Sequence, residues 1–386
     1  MALIIGSICK RRKAFSSRLS FYICGLMIIA INTIQLQTNT INFDVDFLVE
    51  LMLHKAKQEP DNQFVFIVNT PVEASALPTN CTTELVRKEP VSTSSLLLFS
   101  TITLPALLKK IKAEMVFQVA GYGCITGNVE QVVFVNTALS TKALVVKKSL
   151  QKASNIVVGS QILQNELSQK FQISNPKFQI ITGAAHAIFK PLNYIETNVV
   201  KDGYADGREY FLAVASAFTF HEFINLLKAF SAFKKWQKSS MKLIVLGHIA
   251  DYKNQLSEKI ATYKYREDVE LLDSEPLDVE AKLFGAAYAV LSLANQSQYY
   301  IPILQAFQAN VPVICAENSS FSEAINNAVL TVAKDDVEAL ANQMKLLYRD
   351  ENLRSQKIAA GQAMAELHTY ENAYQQLQNG IASMVL

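Results

Sequence analysis

Short apolar runs alternate with longer segments of helical period along most of this chain. In the first half, residues 27–33, 64–68, 96–99, 116–119, 132–135, 156–158 and 179–181 read as strands. Helices fall at 46–58, 105–112 and 160–171. The run Val132-Val133-Phe134-Val135 is apolar at every position, which suits a strand covered on both faces, as in a parallel sheet. In the second half strands are expected at 211–215, 242–246, 269–272, 289–293, 311–315 and 329–332. Each is followed by a helical segment, at 222–237, 252–265, 279–286, 302–309, 320–327 and 335–349. Pro302 at a helix start and Pro312 at a strand start sit where a missing N–H does no harm.

This alternation predicts an α/β protein of two doubly wound Rossmann-like domains facing across a cleft, with ligand at the carboxyl ends of the strands. The expected division is an N-terminal extension at 1–26, a first domain at 27–190, a hinge at 191–209 and a second domain at 210–369. A C-terminal helix at 370–386 is expected to pack back on the first domain. The polar and glycine-containing runs 190–192 and 201–207 read as exposed hinge.

Composition narrows the function classes. A length of 386 residues suits two domains, and 50% hydrophobic against 18% charged residues supplies two cores. Thirty-six basic and 34 acidic side chains give a net charge of +2, so no global field draws the chain to nucleic acid or an anionic membrane. The five cysteines (Cys9, Cys24, Cys81, Cys124, Cys315) are scattered and odd in number, reading as buried thiols of a reducing, cytoplasmic compartment. The histidines lack ligand spacing, so no metal is expected. The basic cluster at 10–13 and the apolar run at 21–31 together resemble a signal segment, but about 11 residues fall short of the ~20 that span a bilayer. The reading adopted is a first buried strand near Met27, with a signal anchor as the alternative and Met27 as an alternative start. No integral membrane span is expected.

Glycine is scarce: there are 13, with none between Gly25 and Gly121 or between Gly285 and Gly361. Phosphate-cradling loops use glycine so that backbone N–H groups can approach the anion. The densest group, Gly121, Gly123 and Gly127, does not fit the dinucleotide fingerprint, which excludes an ordinary dehydrogenase.

The second half carries a resemblance. YFLAVASAFTFHEFINLLKAFSAFKK from Tyr210, MKLIVLGH from Met241, IPILQAFQANVPVICAENSSFSEA from Ile301 and DDVEALANQMKLLYRDENLR from Asp335 resemble the nucleotide-sugar domain of family-4 (group 1) retaining glycosyltransferases of the GT-B fold. ITGAAHAIFKPL from Ile181 is similar to the family's hinge run. The resemblance implies transfer of a hexose from a nucleotide sugar to a glycan or lipid-linked acceptor. It also implies retention of configuration, no obligatory metal and no cofactor beyond the donor. On the donor side it implies Ser216, Phe220, His221, Gly247, His248, Tyr300, Ile301, Leu304, Gln305 and Glu323. The positions of its catalytic motifs are Ser297, Gln305, Asn136 and Thr137.

Several of these positions depart from the family pattern. An Arg and Lys pair that neutralises the leaving diphosphate is replaced by Phe220 and His221. A neutral imidazole cannot stand in for two permanent cations, and one lost donor at a developing anion typically costs about 2.7–4 kcal/mol of barrier. Two glutamates eight residues apart fall on Ser297 and Gln305, and the intervening glycines on Gln298 and Tyr300. The amide oxygen of Gln305 can still accept from a ribose hydroxyl, whereas Tyr300 puts a ring where bare backbone meets phosphate. A His-Asp pair after the strand at 132–135 becomes Asn136-Thr137, and the first glycine-rich loop becomes the glycine-free run 36–45. His186 and Trp236 read as structural, Glu323 as a helix cap or surface carboxylate, and Tyr300 as packing or a stacking wall.

Two classes therefore stand: a glycosyltransferase by resemblance, with impaired chemistry, or a non-catalytic relative that binds a sugar, a nucleotide or a partner glycosyltransferase as a scaffold, which the residues favour as far as chemistry goes. Either is expected in the cytoplasm, peripheral at the inner membrane face, without nucleic acid.

Overall fold

The computed structural model describes residues 27–34, 43–72, 77–86, 90, 92–135, 143–174, 177–215, 218–247, 253–272, 275–293, 300–317 and 322–383. The chain divides into two compact units. Unit 1 comprises Met1–Thr38, Leu48–Ile181 and Ala373–Leu386, and unit 2 comprises Asn39–Phe47 and Thr182–Asn372.

Unit 1 is built on β1 (Ile28–Asn32), β2 (Gln63–Val68), β3 (Cys81–Leu85), β4 (Met115–Gln118), β5 (Glu130–Val135), β6 (Asn155–Val158) and β7 (Phe178–Ile180). They form one sheet in the order β3-β2-β1-β4-β5-β6-β7, with every pairing parallel. All residues of β4 and β6 are buried, which explains their apolar runs Met115–Phe117 and Ile156–Val158; each strand also buries one amide, Gln118 and Asn155. The crossover helices are α1 (Phe43–Gln58), α2 (Thr93–Leu98), α3 (Leu104–Lys110), α4 (Ala143–Lys152) and α5 (Gln161–Phe171). A π-helical turn, Phe99–Thr103, joins α2 to α3. Such a turn frees carbonyls from the helical ladder. Here those of Ser100 and Thr101 accept from Ile125 N (3.0 Å) and from the Thr126 hydroxyl.

Unit 2 holds β8 (Tyr210–Val214), β9 (Lys242–Leu246), β10 (Val269–Leu272), β11 (Ala289–Ser292), β12 (Val313–Ala316) and β13 (Leu330–Val332), again all parallel, in the order β10-β9-β8-β11-β12-β13. Its helices are α6 (Tyr194–Ala205), α7 (Phe220–Gln237), α8 (Lys253–Ala261), α9 (Leu277–Gly285), α10 (Ile301–Gln308), α11 (Glu323–Ala328), α12 (Val337–Arg349) and α13 (Glu351–Leu367). The last helix, α14 (Tyr370–Ser383), lies in unit 1 from Ala373 onward. There Gln179 Nε2 donates to the carbonyl of Gln376, and Tyr374 Oη lies 3.3 Å from Glu59 Oε1.

Strand order reverses between β1 and β4 in unit 1 and between β8 and β11 in unit 2. These are the switch points at which doubly wound sheets bind ligands. In unit 1 the ends of both switch strands carry buried amides. Asn32 Nδ2 donates to Gln118 Oε1 at 2.9 Å, and Gln131 Oε1 accepts from Gln118 Nε2 (3.4 Å) and Cys124 N (2.9 Å). Buried polar groups persist only when paired in this way.

Four expectations change. Residues 96–99 are helix and π turn rather than strand. Ser92 and Ser95 cap the segment reciprocally, and Leu96, Leu104 and Leu108 recur at helical spacing on its buried face. The edge strand β3, CTTEL, escapes the apolar pattern because only Cys81 in it is buried. Helix α4 is an addition to the three helices expected in the first half. Residues 201–205 continue α6, capped at its start by Asn193 with Glu196 and at its end by left-handed Asp206, so only Asp206 and Gly207 form a turn. The remaining strands and helices of both halves appear within a few residues of their expected bounds, the ordinary scatter of element ends. The extension 1–26 lies outside the described residues.

Candidate functional site

The crevice of unit 2 is framed by the ends of β8, β9 and β11 and by the starts of α7 and α10. Helix α7 begins with a complete capping box. Thr219 Oγ1 accepts from Glu222 N at 3.2 Å, and Glu222 Oε2 accepts from Thr219 N at 2.8 Å. A carboxylate at a helix N-terminus interacts favourably with the macrodipole. Glu222 thus takes up the N–H of Thr219 and places a negative charge at the helix start. Phe220 is half-buried and His221 is exposed, and neither brings a permanent cation.

One turn further along, Asn225 is buried on the same helix. Its Nδ2 lies 3.0 Å from Asp335 Oδ1 and 3.1 Å from His221 Nε2, and His221 Nε2 is 3.8 Å from that carboxylate oxygen. Asp335 has a left-handed backbone, φ 63°, in the turn between β13 and α12. Beside it Lys334 Nζ reaches to 3.8 Å from Glu222 Oε1. Glu222, Asn225, Lys334, Asp335 and Asp336 line a cavity of about 40 Å³, room for a few waters but not for a nucleotide. Neither Asn225 nor the Lys334-Asp335 pair stood out in the sequence. The available signal was a polar residue on the inward face of α7, one turn after His221.

At the opposite wall, Tyr300 caps α10 with a left-handed backbone, φ 55°, and no side-chain cap. This is the conformation glycine adopts freely, and it costs other residues roughly 1–2 kcal/mol. The Tyr300 ring belongs to the buried core cluster that includes Ile303 and Leu304. This placement makes it a packing element as well as a backbone constraint. Ile301 and Leu304 are likewise buried, at 4% and 1% exposure. Gln305 is 5% exposed, and its Oε1 has no hydrogen-bond partner among the described residues. A buried acceptor left unmade costs about 1–3 kcal/mol, a cost that a water or ligand donor would remove here as at Ser100 Oγ, Asn155 Oδ1 and Gln343 Oε1.

Gly247, just after β9, is buried with φ 141°, and its N–H bonds to Leu272 O at 3.1 Å. A side chain there would be strained whatever the space. Glu323 opens α11 behind the true cap, Ser322, whose hydroxyl accepts from Ile325 N. Ser216, His248, Ser297, Asn136 and Thr137 lie outside the described residues, as does the glycine-free run at 36–42. His186 forms a local turn, its Nδ1 accepting from Ile188 N at 3.1 Å.

Among the described residues no group of three or more His, Cys, Asp or Glu is placed to hold a metal ion, and no helix is long and apolar enough to cross a membrane. Cys81, Cys124 and Cys315 are free and buried. Burial pushes their thiols up to about 11, 11 and 12, respectively, so they are not nucleophiles at neutral pH.

Residues 195–364 match the family model described as glycosyl transferases group 1. The O-antigen chain mannosyltransferase RfbU of Salmonella typhimurium is 22% identical over 202 residues, covering 52% of this chain and 52% of that protein. The O-antigen chain mannosyltransferase B of Escherichia coli is 29% identical over 97 residues, 25% of this chain and 26% of its own length. The chain thus spans about half of the first relative and about a quarter of the second. Among solved structures, a glycosyltransferase from Rickettsia africae superposes with TM-score 0.74 at 13% identity over 94% of this chain and 99% of its own. WaaG, a glycosyltransferase involved in lipopolysaccharide biosynthesis, gives 0.71 at 13% identity, with 91% and 98% covered. HepE of Anabaena, solved with UDP and glucose, gives 0.70 at 13% identity, with 93% and 100% covered. The parallel sheets and switch points agree with these likenesses: the chain has the GT-B fold, and its residues 195–364 match the group 1 glycosyl transferase model.

Proposed function

We propose that unit 2 binds a nucleotide sugar at the β8/β11 switch point and that the protein serves assembly of a glycan, on a glycan or lipid-linked acceptor, with weakened transfer chemistry. The single observation that carries this reading is the buried Oε1 of Gln305, without a partner among the described residues and an acceptor suited to a ribose hydroxyl. The weakening follows from the α7 start, where Phe220 and His221 supply no permanent charge and the Glu222 carboxylate sits at the cap, accepting from Thr219 N. A diphosphate leaving group needs preorganised positive charge in its transition state more than in its ground state. Recognition therefore outlasts catalysis in this arrangement. Lys334 is the cation beside this turn, and its approach to Glu222 makes it the substitute counter-charge to test first.

The matched relatives are O-antigen mannosyltransferases, so mannose is the first sugar to try. A place in the cytoplasm, at the membrane face where lipid-linked acceptors reside, fits the same reading. A second reading is a non-catalytic scaffold for another glycosyltransferase, favoured by the same missing cations.

Calorimetric titration with UDP-, GDP- and ADP-sugars separates the two. Specific binding with Kd below about 100 µM, about −5.5 kcal/mol, together with slow transfer, is the expected result. Silence with every donor, alongside co-purification of a second glycosyltransferase, overturns it in favour of the scaffold.

A further inference from the structure

His221, on the first turn of α7, meets two groups through one nitrogen. Its Nε2 lies 3.1 Å from Asn225 Nδ2 and 3.8 Å from Asp335 Oδ1. Asn225 Nδ2 is itself 3.0 Å from Asp335 Oδ1. A carboxylate only accepts, so this contact fixes which end of the Asn225 amide is the NH2 group. That group only donates. Nε2 of the neutral imidazole is therefore the accepting nitrogen, and the ring proton is on Nδ1. Asn225 is buried, whereas the His221 side chain is 70% exposed and open to solvent protons.

A proton taken from solvent onto Nε2 changes the pairing. The nitrogen becomes a donor and no longer suits the amide NH2, while Asp335 Oδ1, 3.8 Å away, is the acceptor within reach. The two states of the ring have different partners: Asn225 when neutral, Asp335 when charged. Imidazole is the side chain whose charge ordinarily changes between about pH 5 and 8. Among the described residues, the charged groups around this corner are Glu222 on α7 and Lys334, Asp335 and Asp336 in the turn before α12. Carboxylates outnumber lysine there, so a neutral His221 leaves a surplus of negative charge that repels an anion. Protonation lowers that surplus and adds a charged donor.

We propose that protonation of His221 gates the donor site of unit 2: the imidazolium, held by Asp335, is the conditional cation that admits the pyrophosphate of a nucleotide sugar. The inference rests on the nucleotide-sugar reading above and adds its regulation. A pyrophosphate diester stays fully ionised across the neutral range, so a pH dependence of its binding belongs to the protein. A fixed cation holds such a ligand equally at every neutral pH, and a histidine in this pairing holds it only while the proton is on. Lys334 does not remove the dependence, because Glu222 Oε1 already lies 3.8 Å from its Nζ.

Binding of GDP-mannose, UDP-glucose and ADP-glucose to the full chain is measured by calorimetry at about pH 6 and about pH 8, at constant low ionic strength. Affinity should be about threefold to tenfold higher at the lower pH. His221→Gln should bind weakly at both values, and His221→Lys tightly at both. Asp335→Asn keeps a residue suited to the left-handed backbone. It should bind more tightly than the wild type at about pH 8, since a repelling charge is gone, and gain less on acidification. Melting temperatures of the four proteins at each pH separate loss of the site from loss of the fold. Equal affinity at both pH values in the wild type overturns the gate and leaves the donor site standing. A pH dependence that survives intact in His221→Gln or His221→Lys also overturns it, because the titrating group then lies elsewhere. No binding by any of the four proteins at either pH overturns the nucleotide-sugar reading, and this inference with it.

Discussion

Gly361 on α13 lies so close to Phe307 on α10 that a Cβ at position 361 would come within 2.6 Å of the Phe307 ring. Phe307 is fully buried and shares its helix with Tyr300 at the cap and with Gln305. A missing methyl group on one helix thus sets how closely α13 seats the helix that carries the candidate ligand contacts.

Gly361→Ala should therefore destabilise the protein. Overpacking costs typically about 1–3 kcal/mol, against about 1 kcal/mol recovered from helix propensity. A net loss of about 1 kcal/mol in denaturant unfolding is expected. An unchanged midpoint would mean that the Phe307 ring yields without cost.

Gln305→Leu removes the orphan acceptor while keeping much of the volume. In the absence of ligand it should leave the melting temperature unchanged or raise it, because an unpaired buried polar atom disappears. The same variant should lose nucleotide-sugar stabilisation, measured as the thermal shift on adding donor. Loss of stability in the empty protein would show that Gln305 serves the fold instead.

Tyr300 and the diphosphate contacts can be tested together. Phe220→Arg, His221→Lys, Ser297→Glu and Gln305→Glu restore the charges expected of the family. Adding Tyr300→Gly frees the left-handed backbone but removes a buried ring, a net loss of about 2 kcal/mol once about 1–2 kcal/mol of backbone relief is set against about 3–5 kcal/mol of packing. Nucleotide affinity should rise further in the fivefold variant than in the fourfold one. Equal affinities would show that Tyr300 places no obstacle in the donor path.

Glu280 on α9 gives the fold a pH dependence. Burial, then the charges of Asp46 and Glu275, push its carboxyl from 4.5 up to about 7, only partly opposed by a backbone hydrogen bond. A carboxyl whose folded pKa is raised penalises the native state once ionised, so stability falls as pH rises through the window from 4.5 to about 7. Glu280→Gln should match the wild type near pH 4 and melt progressively higher than it toward pH 8. Parallel pH profiles for the two proteins would remove Glu280 as the cause.

The architecture was largely legible because it rests on local pattern. Runs such as Val132 to Val135, buried on both faces, and the helical periods between strands constrain neighbours in sequence, and these fix sheet type and helix count. The failures have local causes as well. At Leu96 a short apolar run fits strand or helix equally until the Ser92–Ser95 cap decides. At Cys81 an edge strand leaves most of its residues in water and so shows no apolar pattern.

The candidate site was less legible, since its groups meet only through long-range folding. Asn225 and Asp335 are 110 residues apart and bonded at 3.0 Å, a pairing that no spacing rule anticipates. By itself the sequence determined the two parallel sheets, the likeness to group 1 glycosyltransferases and the presence of Phe220 and His221, neither a permanent cation, where α7 begins. All of these are written in residue type and periodicity. Only the tertiary structure decided that Gln305 Oε1 is buried without a partner among the described residues and that the Tyr300 ring packs in a core. Burial, pairing and local charge density depend on which distant segments the fold brings together, and composition averages them away.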